Sequence, residues 1–227
     1  MHFKILKRLL FVLIISTLAG CSSGKKSEDS SRPLVPEDLP LTEVKPIFHD
    51  NSKVVEPPEL SGLWRSERPE PAGNGRYAVR ELKFIGARWS LTYTLAADKA
   101  MKNVLFTHKA SGEVTNQSPS KRIPGAYLMT YRFNHKTLNI MATDKTTLKE
   151  LGFDSCPISI RQDVDVTSQG CGIIARLSEC PNDYELLRQE TRKEGSFISI
   201  GNKFAEFSSC SEDKRPVALG VSLIKVK

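Results

Sequence analysis

The 227-residue chain contains no run of about 20 consecutive apolar residues, the length a helix needs to cross a bilayer. It also lacks Cys-x-x-Cys, His-Glu-x-x-His and Gly-x-Ser-x-Gly, the spacings that build structural zinc sites, metalloprotease centres and nucleophile elbows. Beyond His2, the only histidines are His49, His108 and His135, with no short ligand spacing among them. No block of five or more like charges occurs, so a basic arm for nucleic acid is missing. Ser155 in "GFDSC" has no elbow around it. Asp163 and Asp165 in "RQDVDV" can share a strand face, where a carboxylate pair most often lies in solvent. His108 and His135 could face one another across strands, and a surface position is the expected one. No catalytic residue, metal or cofactor is therefore expected, and the chain is not read as an enzyme.

What is present begins with "MHFKILKRLLFVLIISTLAGC". Lys4, Lys7 and Arg8 precede an apolar run from Leu9 to Ile15, too short to span and correct for an export signal. Leu18, Ala19, Gly20 and Cys21 resemble the bacterial lipoprotein cleavage pattern, which implies cleavage after residue 20 and acylation of Cys21. Two or three acyl chains, each methylene contributing ~0.8 kcal/mol, anchor far more firmly than one. The expected location is the exported side of a cell membrane. Ser22 stands where an aspartate is associated with inner-membrane retention, which favours the outer membrane if the envelope has two.

Loss of residues 1 to 20 removes three basic residues and no acidic ones, lowering the formal net charge from +7 to +4. Most of the basicity thus belongs to the signal, and no nucleic-acid partner is expected. Residues 21 to 59 carry Pro33, Pro36, Pro40, Pro46, Pro57 and Pro58 with few large apolar side chains. Such a composition buries too little surface to offset its ordering entropy and reads as a flexible tether, with no chemistry assigned to His49 or Asp50.

Residues 60 to 227 are of single-domain length and dominated by period-two alternation. In "RWSLTYTL" the apolar set is Trp89, Leu91, Tyr93 and Leu95; in "YLMTYRF" it is Tyr127, Met129, Tyr131 and Phe133; in "KTLNIMA" it is Leu138, Ile140 and Ala142. Further strands are expected in "LSGLWRS", "RYAVRELKFIG", "KNVLFTHKASG", "GIIARLS", "DYELLRQE", "SFISIG" and "VALGVSLIKV". Segment 76 to 86 changes phase between Val79 and Leu82, as a bulge would require. "DKTTLKELG" is the one short helix, with Asp144 as cap and Gly152 as terminator. The fold class is therefore all-β, an antiparallel barrel or sandwich, with closure removing aggregation-prone edges. The aromatic and methionine-rich face suits an apolar cavity and equally an ordinary core.

Of the five cysteines, four remain after Cys21: Cys156, Cys171, Cys180 and Cys210, an even number in an exported domain and so a disulfide set. With "GIIARLS" as one strand, Cys171 and Cys180 lie about 30 Å apart, beyond the ~7 Å a bridge allows. Two connectivities stay open.

"SGLW", residues 61 to 64, resembles the Gly-x-Trp opening of lipocalin-type barrels, in which the tryptophan closes the floor and a later arginine can stack on it. More broadly, "LSGLWRSERPEP", "RYAVRELKF", "AADKAM", "LKELGFDSC", "RQDVDVTSQGCG", "DYELLRQE", "GSFISIGN" and "DKRPVALGVSLIKV" resemble, in order, the adenomatosis polyposis coli down-regulated family. The resemblance implies a lipocalin-like barrel whose apolar cavity accepts a lipid chain, and it pairs Cys156 with Cys171, leaving Cys180 for Cys210. The family's two-copy animal inhibitor of Wnt signalling is not implied for a single copy on a bacterial-type anchor. Cysteines usual in the family near Pro69 and Met101 are both missing here, as loss of one bridge would leave them.

Two functions follow as expectations. One is a non-enzymatic binding module for a lipid, fatty acyl chain or other apolar ligand, lined by Trp64, Arg80, Trp89, Leu91, Tyr93, Tyr127, Met129, Tyr131 and Phe133. Arg80 would either orient a carboxylate or phosphate head or stack on Trp64. The other is a filled barrel that acts as a structural module or contacts a protein or glycan partner of the envelope.

Overall fold

The computed structural model describes residues 57–157, 159–203 and 209–227. The expected signal, the Cys21 anchor and nearly all of the tether lie outside the described residues. Ten strands form one antiparallel sheet: β1 (Gly62–Ser66), β2 (Glu70–Pro71), β3 (Tyr77–Ile85), β4 (Arg88–Ala96), β5 (Val104–Pro119), β6 (Ala126–Ile140), β7 (Val164–Asp165), β8 (Asn182–Arg192), β9 (Gly195–Gly201) and β10 (Leu219–Lys225). β1 pairs with β10 on one side and β3 on the other, closing the circuit β1-β10-β9-β8-β6-β5-β4-β3. Without the two-residue strands β2 and β7, which add to β3 and β6, this is a closed eight-stranded barrel.

The alternating residues of "RWSLTYTL" and "YLMTYRF" face inward as their pattern requires, with Trp89, Leu95, Tyr127, Met129, Tyr131 and Phe133 all buried. "YLMTYRF" and "KTLNIMA" are two parts of one strand, β6. Their apolar positions are odd-numbered to Phe133 and even-numbered from Leu138 because Asn134 is an extra residue: Ser111 pairs with His135 while Gly112 pairs with Phe133. Gly112 is required there, since a Cβ on it would lie 1.7 Å from the Arg132 carbonyl oxygen. A second extra residue, Thr115, follows in β5. Such bulges bend the long hairpin toward closure.

Two expectations are corrected. β3 has no bulge: its register with β4 is unbroken from Tyr77 to Ile85. Ala78, Arg80, Leu82 and Phe84 occupy alternate positions of one face, and the apparent phase change arose because one inward position is held by an arginine rather than an apolar residue. "GIIARLS" is not a strand either. It is a run of turns in which Cys171 and Ile174 form a single isolated bridge, with Gly170 and Gly172 at φ +66° and +53°. The 30 Å separation of Cys171 and Cys180 therefore had no strand beneath it. The bridges are nonetheless Cys156–Cys171 and Cys180–Cys210, with Cα separations of 5.6 and 4.8 Å.

The short helix α1 (Lys145–Glu150) is capped by Asp144, whose Oδ1 accepts from Thr147 N at 2.8 Å. It ends at Gly152 (φ +69°), where Phe153 N donates to Leu148 O. Among the described residues no helix is long and apolar enough to cross a membrane.

The interior divides into two apolar layers. One is built around Trp64, Leu82, Phe84, Trp89, Met129, Leu187 and Leu223. The other joins Phe106, Leu138, Ile140 and Val166 to Leu151 and Phe153 beyond α1. Burial of each large side chain stabilises by roughly 1.5–3 kcal/mol.

Candidate functional site

A cavity of about 360 Å³ is lined by residues of both layers, by Glu70–Gly73 in and just after β2 and by Gly201–Lys203 at the end of β9. Its apolar wall is aromatic. Trp89 packs 5.1 Å from Tyr131 and edge-on 5.4 Å from Phe133, ring centroid to centroid, and Leu82, Leu91, Ile200 and Val221 complete it. These offset and edge-on contacts hold the rings in place, each contributing about 0.5–1.5 kcal/mol beyond area burial.

Of the residues expected to bind ligand, Arg80, Trp89, Leu91, Tyr93, Tyr131 and Phe133 line this cavity. Trp64, Tyr127 and Met129 do not. They belong to the packed layer instead. Trp64 is fully buried, its Nε1 donates to Leu60 O at 2.7 Å, and the cation over its ring is Lys225 of β10, 5.4 Å from the centroid. Arg80 thus does not perform the expected stacking on Trp64. Its guanidinium lies over Tyr93, 5.6 Å from the centroid, and its Nε is 3.1 Å from Glu70 Oε2. Glu70 is fixed in turn by Ser66, whose hydroxyl donates to Oε1 at 2.6 Å and accepts from Arg80 N at 2.8 Å.

The opposite wall carries a second charged group. Lys203 Nζ donates to both Asp183 oxygens, at 2.8 and 2.7 Å, and lies 3.0 Å from Glu185 Oε2. Glu185 Oε1 accepts from Leu186 N and Gly201 N, both at 2.9 Å. Burial opposes the Lys203 charge, but Asp183 and Glu185 together outweigh it and keep its pKa above the ordinary lysine value.

His108 corrects another expectation. It is not at the surface but 2% exposed, an inward residue of β5 at the cavity wall, paired in register with Leu138 and not with His135. Burial, with a smaller contribution from Lys136, lowers its pKa to about 4 against the pull of the Thr137 carbonyl. At neutral pH the ring is uncharged. Because Nδ1 lies 2.9 Å from Thr137 O, which only accepts, Nδ1 carries the hydrogen and Nε2 is the acceptor nitrogen. Burial raises the pKa of Tyr93, and that of Tyr131 rises well above the ordinary value from burial and then from Glu185 and Asp183, so both phenols stay neutral.

Asp163 and Asp165 lie at the surface, Asp163 held by Lys109 and Asn139 at 2.7 Å each and Asp165 3.7 Å from His135. Among the described residues no group of three or more His, Cys, Asp or Glu side chains converges as a metal site would.

Sequence reasoning missed Leu82, Ile200 and Val221 of the apolar wall and, more consequentially, the titratable cavity residues Glu70, His108, Asp183, Glu185 and Lys203. Hydrophobic alternation sends charged positions outward, and "DYELLRQE" offers Asp183 and Glu185 on the same strand face as Leu187. That shared face with Leu187 was the signal available. Comparison of the chain with models of known protein families and with curated proteins finds no match.

Proposed function

We propose that the protein is an exported lipoprotein, acylated at Cys21 and held on the outer side of a membrane, whose barrel binds a lipid, fatty acyl chain or other apolar molecule without a chemical step. The observation that carries the binding reading is the cavity, half walled by fixed aromatic rings and half by fixed charges. Its volume, about 360 Å³, lies at the lower end of the ~300–1,000 Å³ usual for small-molecule sites. That suits one chain or ring system, not a two-chain lipid. Support for the anchor comes from the spacing of Lys4, Lys7 and Arg8 to the "LAGC" segment. The resemblance of the motif order to that of the adenomatosis polyposis coli down-regulated family adds a second reason to expect an apolar occupant.

The test is native mass spectrometry of the full chain released from membranes, followed by lipid extraction. An adduct of small-molecule mass is expected in the wild type and lost in Leu91→Asp, with far-ultraviolet circular dichroism unchanged. An empty barrel in the wild type under gentle release would instead favour the filled structural or interaction module.

A further inference from the structure

The charged half of the cavity restricts what the occupant's polar end can be, granted the reading that an apolar molecule binds there. Among the described lining residues, besides the unpartnered hydroxyl of Tyr131, Arg80 offers a charged pair of uncommitted donors. Its Nε faces Glu70, while its terminal Nη1 and Nη2 make no hydrogen bond to any described residue and, unlike Nε, are not sealed by protein. The guanidinium cannot turn freely, because Glu70 holds one edge and the Tyr93 ring lies beneath. A planar fork so fixed keeps two parallel donors, Nη1 and Nη2, at the cavity wall.

A carboxylate or phosphate would ordinarily be the partner for such a fork. Here the balance of charge opposes it. The lining carries Arg80 and Lys203 against Glu70, Asp183 and Glu185, with His108 neutral. Burial raises the Glu185 pKa, but its Oε1 accepts from Leu186 N and Gly201 N and its Oε2 lies 3.0 Å from Lys203 Nζ, as an ionised carboxylate requires, so two cations face three anions. Lys203 is already shared between two carboxylates, and Arg80 is already neutralised by Glu70. Two further cations with buried side chains, Lys136 and Arg215, stand outside the lining. Lys136 donates to the Ala175 and Cys180 carbonyls, and Arg215 to the carbonyls of Met129 and Glu185. A further anion in this low-dielectric space would add a second unbalanced negative charge, whereas a neutral oxygen takes the same two donors and leaves the balance as it was.

We infer that the polar end of the ligand is a neutral hydrogen-bond acceptor, an ester or amide carbonyl seated on Nη1 and Nη2 of Arg80, with a single acyl chain against Trp89, Leu91 and Phe133. The occupant is then an acyl ester or amide, not a free fatty acid.

The experiment uses the full chain in lipid nanodiscs, which avoid detergent in the cavity, titrated at pH 7.5 with decanoic acid, methyl decanoate and decane. Binding is read by calorimetry and by the fluorescence of Trp89. The ester is expected to bind at least tenfold more tightly than the acid, and Arg80→Lys, which keeps the charge beside Glu70 but not the fork, is expected to bring the ester's affinity down to that of decane. Acid binding equal to or tighter than ester binding overturns the inference and leaves the apolar-cavity reading standing. Decane binding as tightly as the ester overturns it as well. Failure of all three probes, in a protein with an unchanged circular dichroism spectrum, overturns the cavity reading itself.

Discussion

The Lys136 ammonium sits 4.1 Å from the centroid of the Phe133 ring, three residues back along the same strand. In an unbroken strand those two side chains would point to opposite faces. The extra residue Asn134 puts both in the interior, and Lys136 there is only 2% exposed. Its Nζ donates to Ala175 O at 2.9 Å and Cys180 O at 3.1 Å, so one buried cation ties the barrel wall to the turns carrying both disulfides.

Burial lowers the Lys136 pKa from 10.5 to about 8. Between those values the unfolded chain holds a proton that the folded chain has released, so stability rises with pH across the window and the penalty for the buried charge is fully present below pH 8. The expected gain from pH 7 to pH 10 is on the order of 2–3 kcal/mol in urea unfolding, relative to Lys136→Met. Parallel pH profiles for wild type and variant would show that Lys136 is solvated and that the buried geometry is wrong.

Gly112→Ala should be far more damaging than its chemistry suggests. The added methyl meets the Arg132 carbonyl, a backbone atom that cannot rotate away. Relieving that clash means undoing the bulge, which reverses the inward set on one half of β6. A loss of about 3 kcal/mol or more is expected. A melting temperature within two degrees or so of wild type would contradict it.

The fold was legible in the sequence because alternation survives wherever inward positions are apolar: Trp89 to Leu95, Tyr127 to Phe133 and Leu138 to Ala142 all keep their expected faces. It failed where an inward position is charged or a turn happens to alternate. Arg80 disguised the regular phase of β3, and Ile174, with Cys171 on one bridge, made turns look like a strand. The aromatic wall of the cavity was readable for the same reason as the fold. Its charged wall was not, because Glu70, Asp183, Glu185 and Lys203 are tolerated inside only through partners contributed by other strands, a fact carried by the topology.

Tyr131→Phe is expected to be neutral or to stabilise. The Tyr131 hydroxyl is buried and has no hydrogen-bond partner, while its ring is wedged between Trp89 and Phe84. An unsatisfied buried polar atom costs about 1–3 kcal/mol, and phenylalanine keeps the ring without it. Thermal unfolding decides the matter: a fall of more than about 1 kcal/mol would mean that the hydroxyl has a partner after all.

Replacing both cysteines of one pair by serine should cost about 3 kcal/mol for Cys156–Cys171 and somewhat more for Cys180–Cys210, whose sequence separation is 30 against 15. Peptide mapping without reductant is expected to recover those two linked pairs. Recovery of a Cys171–Cys180 peptide would refute the arrangement of the turns between them.

His108 makes the acid limb of stability steep. Its pKa falls from 6.5 to about 4 on folding, so as pH drops through that interval the unfolded chain gains a proton that the folded chain refuses. The folded state therefore loses stability from pH 6.5 downward, by an amount approaching ~3 kcal/mol at pH 4. Surface carboxylates such as Asp163 and Asp165, whose pKa values are lowered chiefly by side-chain hydrogen bonds from Lys109 and Thr167, also lose stability in acid. They do so equally in a His108→Gln variant, which keeps a neutral polar side chain at the cavity wall. The difference between the two proteins isolates the histidine. Wild type minus variant should decline steadily from pH 6.5 to pH 4 in denaturant titrations, and a flat difference would place an imidazolium, not a neutral ring, beside the cavity.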